Sequence, residues 1–272
     1  MSWFRNLNYA RAWRGYQPVW GADIYHPSLD RWLYLLLHRL GRMGQLERQV
    51  IEACVRPGMA VLDLGGNVGL YTALFSRCVG PEGKVTVLEP APELHQALLH
   101  TMEKNHLTNI DTYACAAGSM ESTADLALDF FNSGNNWIEQ NSSQTSSIKI
   151  PVRRVDGLSL VRPLDFIKID IQGWEVEALR GMTGLLTAAY QPTIYCEVCE
   201  KALQAAGSSA RELGQFFLDH GYALAQPALV RAAGKSRLEL RPLGLTALVD
   251  EAQKTSYFDI LATPSPGAFG VI

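Results

Sequence analysis

Hydrophobic and polar positions along this chain follow two periods that alternate. Short apolar runs at 60–64, 84–89 and 110–115 have the length of buried strands. Between them, residues 70–78 and 93–105 carry apolar side chains at helical spacing. Strands that alternate with helices predict an α/β fold, with a parallel sheet whose two faces are both covered by helices.

The same alternation resumes in the second half of the chain after an interruption. Residues 125–147 mix short apolar pieces with Asn, Ser and Gly, which predicts hairpin-like strands and a loop. Strand-like pieces between residues 222 and 263 would add antiparallel edge strands to the sheet. The further predicted strands are 148–155, 166–171 and 193–198, and the further predicted helices are 175–186 and 210–220.

A different pattern precedes the alternation. Residues 16–27 contain Gly and two prolines and are expected to be irregular, whereas 28–42 repeat Leu and Trp at helical spacing. A second helix, 45–55, should end at Pro57-Gly58. We therefore predict that residues 1–44 form a helical extension or lid, and that residues 45–272 form the main domain.

Composition narrows the class of protein. The 272 residues are 47% hydrophobic, which is ample for a large core. The net charge of −3, without blocks of like charge, argues against a nucleic-acid partner. No apolar run reaches the roughly 20 residues that a membrane span needs. Because the N-terminal segment lacks the apolar core of a signal peptide, we expect a cytoplasmic protein.

The first chemical motif joins the first strand of the alternation to its helix. Asp63-x-Gly65-x-Asn67-x-Gly69 predicts a strand, a tight turn and a helix start, where the backbone approaches a ligand closely. It differs from the G-x-G-x-x-G turn of dinucleotide-binding folds. The helix start can receive a carboxylate, and Asp63 can pair with an ammonium group. The motif therefore fits a ligand with an amino-acid tail, and the alternative is a plain strand–turn–helix corner with structural glycines.

The next two strands add positions for a nucleoside. Glu89 ends the second strand, twenty residues after Gly69, where an acid can accept both hydroxyls of a ribose. Such an acid would repel a phosphorylated ribose, which favours S-adenosylmethionine (SAM) or NAD over NADP. The small residues 116–119, including Ala117, leave room for an adenine ring, although a simple turn explains them equally well.

The fourth and fifth strands carry the candidate catalytic acids. Asp170 lies at the carboxyl end of a buried strand, where open α/β sheets bind ligands, and Glu197 lies near the end of the next strand. The pair could flank one acceptor oxygen, with one acid taking its proton. Alternatively, the pair could hold a divalent cation, or both could bind loop amides. Lys168 is expected to pair with an acid, and Glu175 to complement the dipole of its helix.

Two segments resemble the FkbM family of SAM-dependent methyltransferases. IKIDIQGWEVEALRGM is similar to that family's signature I-K-I-D-x-E-G-x-E-x-x-x-L-x-G, and LDLGGNVGLYT resembles its D-x-G-A-N-x-G-x-x-[ST]. The resemblance covers about residues 45 to 220. Gln172 stands where the family usually has Glu. If that Glu binds substrate or a metal in relatives, this chain must do so differently.

The resemblance implies a Rossmann-like class I methyltransferase fold with a mostly parallel seven-stranded sheet and SAM as cofactor. It implies methyl transfer to an oxygen of a small molecule such as a sugar, a polyketide or another secondary metabolite. Residues 45–272 would then be the SAM-binding methyltransferase domain, and Asp170 would lie near the methionine end of SAM and the acceptor. The cofactor-binding residues would be Asp63, Gly65, Asn67, Gly69 and Glu89.

Other functions remain open at this point. An NAD-dependent oxidoreductase would normally show a G-x-G-x-x-G turn and a catalytic Tyr–Lys or His–Asp pair, and neither is evident. A binding module that keeps the fold but has lost catalysis is a third option, which the substitution at Gln172 keeps open. A nucleic-acid methyltransferase is disfavoured because a basic face is absent.

Overall fold

Alternating strands and helices build one large sheet with a smaller sheet beside it. The computed structural model describes residues 15–27, 44–129, 136–139, 147–160, 163–187, 191–232 and 235–264. The strands are β1 (Gly15–Val19), β2 (Ala22–His26), β3 (Ala60–Leu64), β4 (Lys84–Leu88), β5 (Ile110–Tyr113), β6 (Ala116–Ala117), β7 (Ser122–Ala127), β8 (Trp137–Glu139), β9 (Ser147–Arg153), β10 (Phe166–Ile169), β11 (Thr193–Val198), β12 (Ala223–Ala232), β13 (Lys235–Pro242) and β14 (Phe258–Thr263). The helices are α1 (Gln45–Cys54), α2 (Leu70–Val79), α3 (Pro92–Lys104), α4 (Glu175–Arg180), α5 (Glu200–Ala205), α6 (Ala210–Asp219) and α7 (Leu245–Lys254).

The main sheet confirms the predicted α/β class. Its eight strands lie in the order β13-β12-β14-β11-β10-β3-β4-β5, and the five from β11 to β5 run parallel. It has one strand more than the seven expected, because β12 continues into an antiparallel hairpin with β13. The antiparallel strand β14 was expected at an edge, but it lies inside the sheet between β11 and β12.

The period of two along each strand separates the sheet's two faces. On β3, Leu62 packs into a cluster with helix residues such as Leu179 and Phe217. Its neighbour Val61 packs into a second cluster on the opposite face, with Phe75 of α2. Since both faces are covered, the central strands are apolar nearly throughout, as expected for parallel sheets.

Strand order reverses between β3 and β10. From β3 the chain moves outward to β4 and β5, and it later returns to place β10 and β11 on the other side of β3. Leu64 at the end of β3 is in register with Ile169 at the end of β10. Because the loops that follow these two strands diverge, a crevice forms at their carboxyl ends, where open sheets bind ligands.

The smaller sheet has the order β6-β9-β7-β8. It contains an antiparallel β7–β9 pair, and β8 adds to its β7 edge. This confirms the hairpin-like strands predicted within 125–147, whereas residues 130–135 and 140–146 lie outside the described residues.

Two predictions near the chain ends were wrong. Residues 16–27, expected to be irregular, contain the β1–β2 hairpin, whose turn uses positive φ at Trp20 and Gly21. The hairpin is held against α3 by Asn105, whose side chain accepts a hydrogen bond from the Asp23 backbone amide at 2.8 Å and donates one to the Asp23 carbonyl.

Helix α7 was not predicted, because it is a single short helix between two strands, β13 and β14, and the whole segment has strand-like pieces.

The predicted helix at 28–42 lies outside the described residues, and the proposed boundary at residue 44/45 stays a prediction. Within the ranges that the structure covers, no helix combines the length and apolar character needed to cross a bilayer.

Candidate functional site

A cavity of about 820 Å³ opens at the carboxyl ends of β3, β4, β10 and β11. Six of the eight predicted site residues line it, and the other two, Asp63 and Gly69, are not among the described lining residues. The six are Gly65, Asn67, Glu89, Ala117, Asp170 and Glu197. The topology therefore brings together most of a site whose members are scattered over more than a hundred residues of sequence.

The turn after β3 is packed so closely that glycine is required. At Gly65 φ is +86°, and a Cβ atom there would lie 2.2 Å from the Asp170 carbonyl oxygen. At Gly66 a Cβ would lie 2.2 Å from a methyl group of Val87. Asn67 also has positive φ, at 49°. The turn thus keeps side chains out of the crevice, as the motif predicted.

Gly69 and Asp63 support the turn from behind. Gly69 precedes α2 with φ of +89°, and a Cβ there would lie 2.8 Å from Leu98 of α3. Asp63 is fully buried and accepts a hydrogen bond from the Thr72 hydroxyl at 2.7 Å. Burial raises the pKa of Asp63, while the nearby charge of Lys168 opposes that shift. Its predicted pairing with a ligand ammonium stays a prediction.

Glu89 connects the turn to the cavity. Its two carboxylate oxygens accept backbone N–H groups from Asn67 and Ala91, each at 2.8 Å. Burial raises the pKa of Glu89 to about 7, although the two backbone hydrogen bonds act in the opposite direction. Each oxygen keeps acceptor capacity for a second donor. Glu89 is therefore placed to accept hydrogen bonds from the hydroxyl groups of a ligand.

Beside Glu89 the wall of the cavity is apolar and includes one orphaned donor. The apolar lining near Ala117 comes from α3 and the smaller sheet: Leu94, Leu126 and Ile138. Trp174 also lines this cavity, and its indole nitrogen is buried without a hydrogen-bond partner. A flat heteroaromatic ring with acceptor nitrogens suits these surroundings. Trp174 was not predicted, because a single Trp after a glycine has no distinguishing spacing.

At the other end of the crevice, Asp170 and Glu197 are joined by an amide. The Gln172 side-chain nitrogen donates to Asp170 at 3.3 Å and to Glu197 at 3.0 Å. Gln172 has φ of 54°, a left-handed conformation that places its amide between the two acids. Burial raises the pKa of Glu197 well above its usual value, and the charges of Asp170 and Asp259 add to the effect.

Lys168 pairs with an acid, as predicted. Its ammonium nitrogen lies 2.9 Å from Asp170 and 4.6 Å from the ring centre of Tyr71, and the residue is 3% exposed. Burial acts to lower the pKa of Lys168, but the charges of Asp170 and Asp63 outweigh it, so the net pKa is raised. Lys168 therefore stays charged, forms an ion pair with Asp170 and offsets the charge of Asp63 on the neighbouring strand.

Glu175 anchors the loop after β10. One of its oxygens accepts the backbone N–H groups of Ile171 at 3.3 Å and Gly173 at 3.0 Å. Burial raises the pKa of Glu175 to about 7. The residue is the first of α4, as predicted, and its contacts give it the structural task of shaping the turn that carries Gln172.

Among the residues that the structure describes, no group of three or more His, Cys, Asp or Glu side chains is arranged to hold a metal ion. The side-chain amide of Gln172 lies between Asp170 and Glu197 and donates to both.

Several other lining residues were not predicted as site residues. Tyr71, on α2, was predicted only as a helix position, and the residues around Tyr257 lie beyond the unpredicted helix α7. Glu47, on α1, lines the same cavity. They reach the site through packing across the sheet, which local sequence does not encode.

Comparisons with known proteins identify a methyltransferase family. Residues 63–224 match the family described as "Methyltransferase FkbM domain". "Methyltransferase 1" of Beauveria bassiana is 26% identical over 146 residues, 45% of this chain and 57% of that protein. "Protein-L-isoaspartate O-methyltransferase 1" of Arabidopsis thaliana is 32% identical over 91 residues, 34% of this chain and 35% of that protein. The matched part of the chain therefore covers 57% of the length of the first relative and 35% of the length of the second.

Solved structures with similar folds include a SAM-dependent methyltransferase from Aquifex aeolicus, with a TM-score of 0.44 and 17% identity over 80% of this chain and 88% of that one. Another is Aeropyrum pernix fibrillarin in complex with SAM, with a TM-score of 0.42 and 14% identity over 80% of this chain and 74% of that one.

Proposed function

Because the chain belongs to the FkbM family of methyltransferases, we propose that it transfers a methyl group from SAM to a hydroxyl oxygen of a small molecule. One observation carries the proposal. A single cavity joins Glu89 and the glycine turn to the linked acids Asp170 and Glu197. The first set suits a nucleoside with an amino-acid tail, and the second suits an acceptor that loses a proton.

The residues present fit SAM. A volume of about 820 Å³ lies within the range of roughly 300 to 1,000 Å³ typical of ligand sites. Glu89 would accept the ribose hydroxyls, and the orphaned indole of Trp174 would donate to a ring nitrogen. The tight turn at Gly65 would face the methionine tail. When bound, SAM supplies an electrophilic methyl group on a positively charged sulfur.

The acids at the far end provide the chemistry on the acceptor side. As a hydroxyl oxygen gains a methyl group it loses its proton, and a carboxylate within reach can take it. Glu197 fits this task, because burial raises its pKa well above its usual value and so makes its carboxylate a stronger proton acceptor. Asp170 is held by both Lys168 and Gln172, so it is placed to orient the hydroxyl. Much of the rate would come from alignment.

The same acids support a small-molecule acceptor over a nucleic acid. Glu47, Asp170 and Glu197 together make the acceptor end of the cavity acidic. A polyphosphate backbone would be repelled there, whereas a hydroxyl group would find acceptors. The absence of a nucleic-acid partner stays a prediction.

Calorimetry tests the cofactor. The protein should bind SAM and its demethylated product S-adenosylhomocysteine (SAH), and should not bind NAD. Binding of NAD alone would contradict the proposal.

Turnover tests the acids. With a panel of hydroxylated metabolites, SAH production should identify acceptors, and Glu197→Gln should lower kcat about 100-fold or more while SAH affinity changes less than about twofold. Glu121→Gln, an exposed acid that pairs with Arg153, is the control and should retain wild-type turnover. An equal loss of turnover and SAH affinity in the Glu197 variant would contradict its assignment as the base.

A further inference from the structure

A small side chamber lies against the acidic end of the main cavity. Its volume is about 30 Å³, and the two spaces share Glu47, Tyr71, Asp170, Glu197 and Tyr257 in their walls. A space of this size holds one water-sized group. The proposed function does not use it.

Carboxyl groups dominate the walls of this chamber. Glu47, Asp170, Glu197 and Asp259 all line it, and Lys168 is the one basic residue among its described lining residues. Glu197 of β11 is in register with Asp259 of β14. Asp170 follows Ile169, which is in register with Cys196, so Asp170 lies beside Glu197 on the next strand.

Three acids therefore occupy one row across three adjacent strands. Like charges directly opposite each other in a sheet destabilise it unless a counter-charge is present. Lys168 is already engaged with Asp170 and lies one row lower, in register with Asp63 and Tyr195. The row is thus short of positive charge.

A second, independent feature points to a missing ligand. Tyr195 is 1% exposed and lines the chamber, and its hydroxyl lies beside Asp259 without reaching the geometry of an ordinary hydrogen bond. A buried hydroxyl whose hydrogen bonding is incomplete is destabilising. A group that donates hydrogen bonds into the chamber would satisfy it together with the acids.

We propose that the side chamber binds a primary ammonium group of the methyl acceptor, so that the acceptor is an amino alcohol. The assignment rests on the proposed function and names its substrate class. A primary ammonium is about the size of a water molecule and has three N–H donors, which suits several carboxylates and one hydroxyl. A quaternary ammonium is too large for about 30 Å³. With the ammonium in the chamber, the acceptor's hydroxyl would face Asp170 and Glu197.

The protonation of the acids agrees with this assignment. Burial raises the pKa of Asp259 to about 7, and the charge of Glu47 raises it further, whereas Tyr195 and Lys168 act to lower it. Glu197 is raised well above its usual pKa by burial and by Asp170 and Asp259. A cation bound beside these acids would stabilise their ionised forms and lower their pKa values.

A binding experiment on the full chain tests the chamber directly. Protein saturated with SAH is titrated with methylammonium chloride by calorimetry, with potassium chloride and tetramethylammonium chloride as comparisons. Methylammonium should bind, and the two comparison salts should give no saturable heat. Saturation with SAH ensures that the cofactor's own ammonium is already in place.

Matched variants locate the binding. Asp259→Asn should weaken methylammonium binding at least tenfold, while Glu52→Gln, an exposed acid on the same helix as Glu47, should leave it unchanged. If the Asp259 variant does not fold, Tyr195→Phe removes only the hydroxyl and should weaken binding about threefold or more. SAH affinity should stay within twofold of wild type in all three variants.

Turnover gives the second measurement. Amino alcohols in the acceptor panel should show kcat/KM at least tenfold above their N-acetyl derivatives. Equal turnover of the two, no methylammonium binding, or equal binding of potassium would each overturn the proposal. Methylammonium binding that disappears on addition of SAH would assign the chamber to the cofactor's ammonium and would overturn it too. Failure to bind SAH at all would instead overturn the proposed function.

Discussion

The carboxylate of Glu89 stabilises two loops and also lines the cavity proposed to bind SAM. It accepts backbone N–H groups from two loops, at Asn67 and Ala91, and it lines the cavity. Its burial raises its pKa to about 7. A small shift in pH therefore changes its charge, and with it the affinity of the proposed ribose site.

We expect Glu89→Gln to weaken SAH binding about tenfold. A hydrogen bond to a charged group contributes roughly 1.5–3 kcal/mol, and about 1.4 kcal/mol is a factor of ten in affinity. Wild-type affinity should rise from pH 6 to pH 8 as the carboxyl group ionises, and the variant should be flat over that range. Calorimetry across this range measures both effects. Glu93→Gln, an exposed acid nearby on α3, is the control, and a pH slope that survives in the Glu89 variant would contradict the assignment.

Lys168 is the second residue whose role can be isolated. Its ammonium is buried against Asp170 and counters the charge of Asp63. Lys168→Met would leave two acids without their counter-charge, and such changes cost about 3–5 kcal/mol.

Urea unfolding should therefore show a large loss of stability for Lys168→Met. Lys84→Met removes a partly exposed ion pair, with 2.7 Å between Lys84 and Asp111, and should cost no more than about 1 kcal/mol. Similar losses in the two variants would show that Lys168 does not hold the acids together.

At the scale of elements, the turn between β3 and α2 is the most constrained. Gly65 and Gly58 have nearly the same φ, +86° and +85°, but they differ in their surroundings. A Cβ on Gly65 would collide with the Asp170 carbonyl oxygen at 2.2 Å, whereas a Cβ on Gly58 would meet nothing within 4 Å. Alanine substitutions at these two glycines therefore distinguish the cost of backbone strain from the cost of steric overlap.

Gly58→Ala should lower the free energy of unfolding by about 1–2 kcal/mol, the cost of a left-handed conformation for an L-residue. Gly65→Ala carries that cost and must also push β3 and β10 apart, so it should abolish SAH binding or prevent folding. Urea unfolding and calorimetry on both variants make the comparison. Equal effects would mean that the close approach of the two strands does not matter.

Elements also show where local patterns were insufficient. The glycine turn and the strands around it were predicted, because φ preference and apolar runs are properties of a few consecutive residues. The β1–β2 hairpin was not predicted, since Gly and Pro are also typical of irregular chain, whereas here Gly21 supplies a hairpin turn. Helix α7 was hidden by strand-like neighbours, and with it the cavity wall near Tyr257.

At the scale of the whole molecule, buried acids with raised pKa values govern the response to pH. Burial raises the pKa of Glu89, Glu175 and Asp259 to about 7 in each case. Between about pH 4.5 and pH 7, the folded chain therefore binds more protons than the unfolded chain. Stability must then fall as pH rises through that window, by at most about 1.4 kcal/mol per pH unit for each group.

We expect the free energy of unfolding in urea to be higher at pH 5.5 than at pH 7.5. His95, whose burial lowers its pKa, acts in the opposite direction, but it is one partly buried group against three. Asp259→Asn should reduce the pH slope, whereas Glu121→Gln should not. Stability that increases steadily from pH 5 to pH 8 would contradict the prediction.

The sequence by itself determined the alternation of strands and helices, the glycine turn, the acids at the strand ends and the family. These follow from periods of two and 3.6 residues and from the conformational freedom of glycine, which act over short stretches of chain. Only the tertiary structure decided that β14 lies beside β11 and brings Asp259 to Glu197. It likewise placed Gln172 between two acids and Trp174 in the cavity wall. Strand order and packing join residues that are distant in the chain, and no local period records which of them will meet.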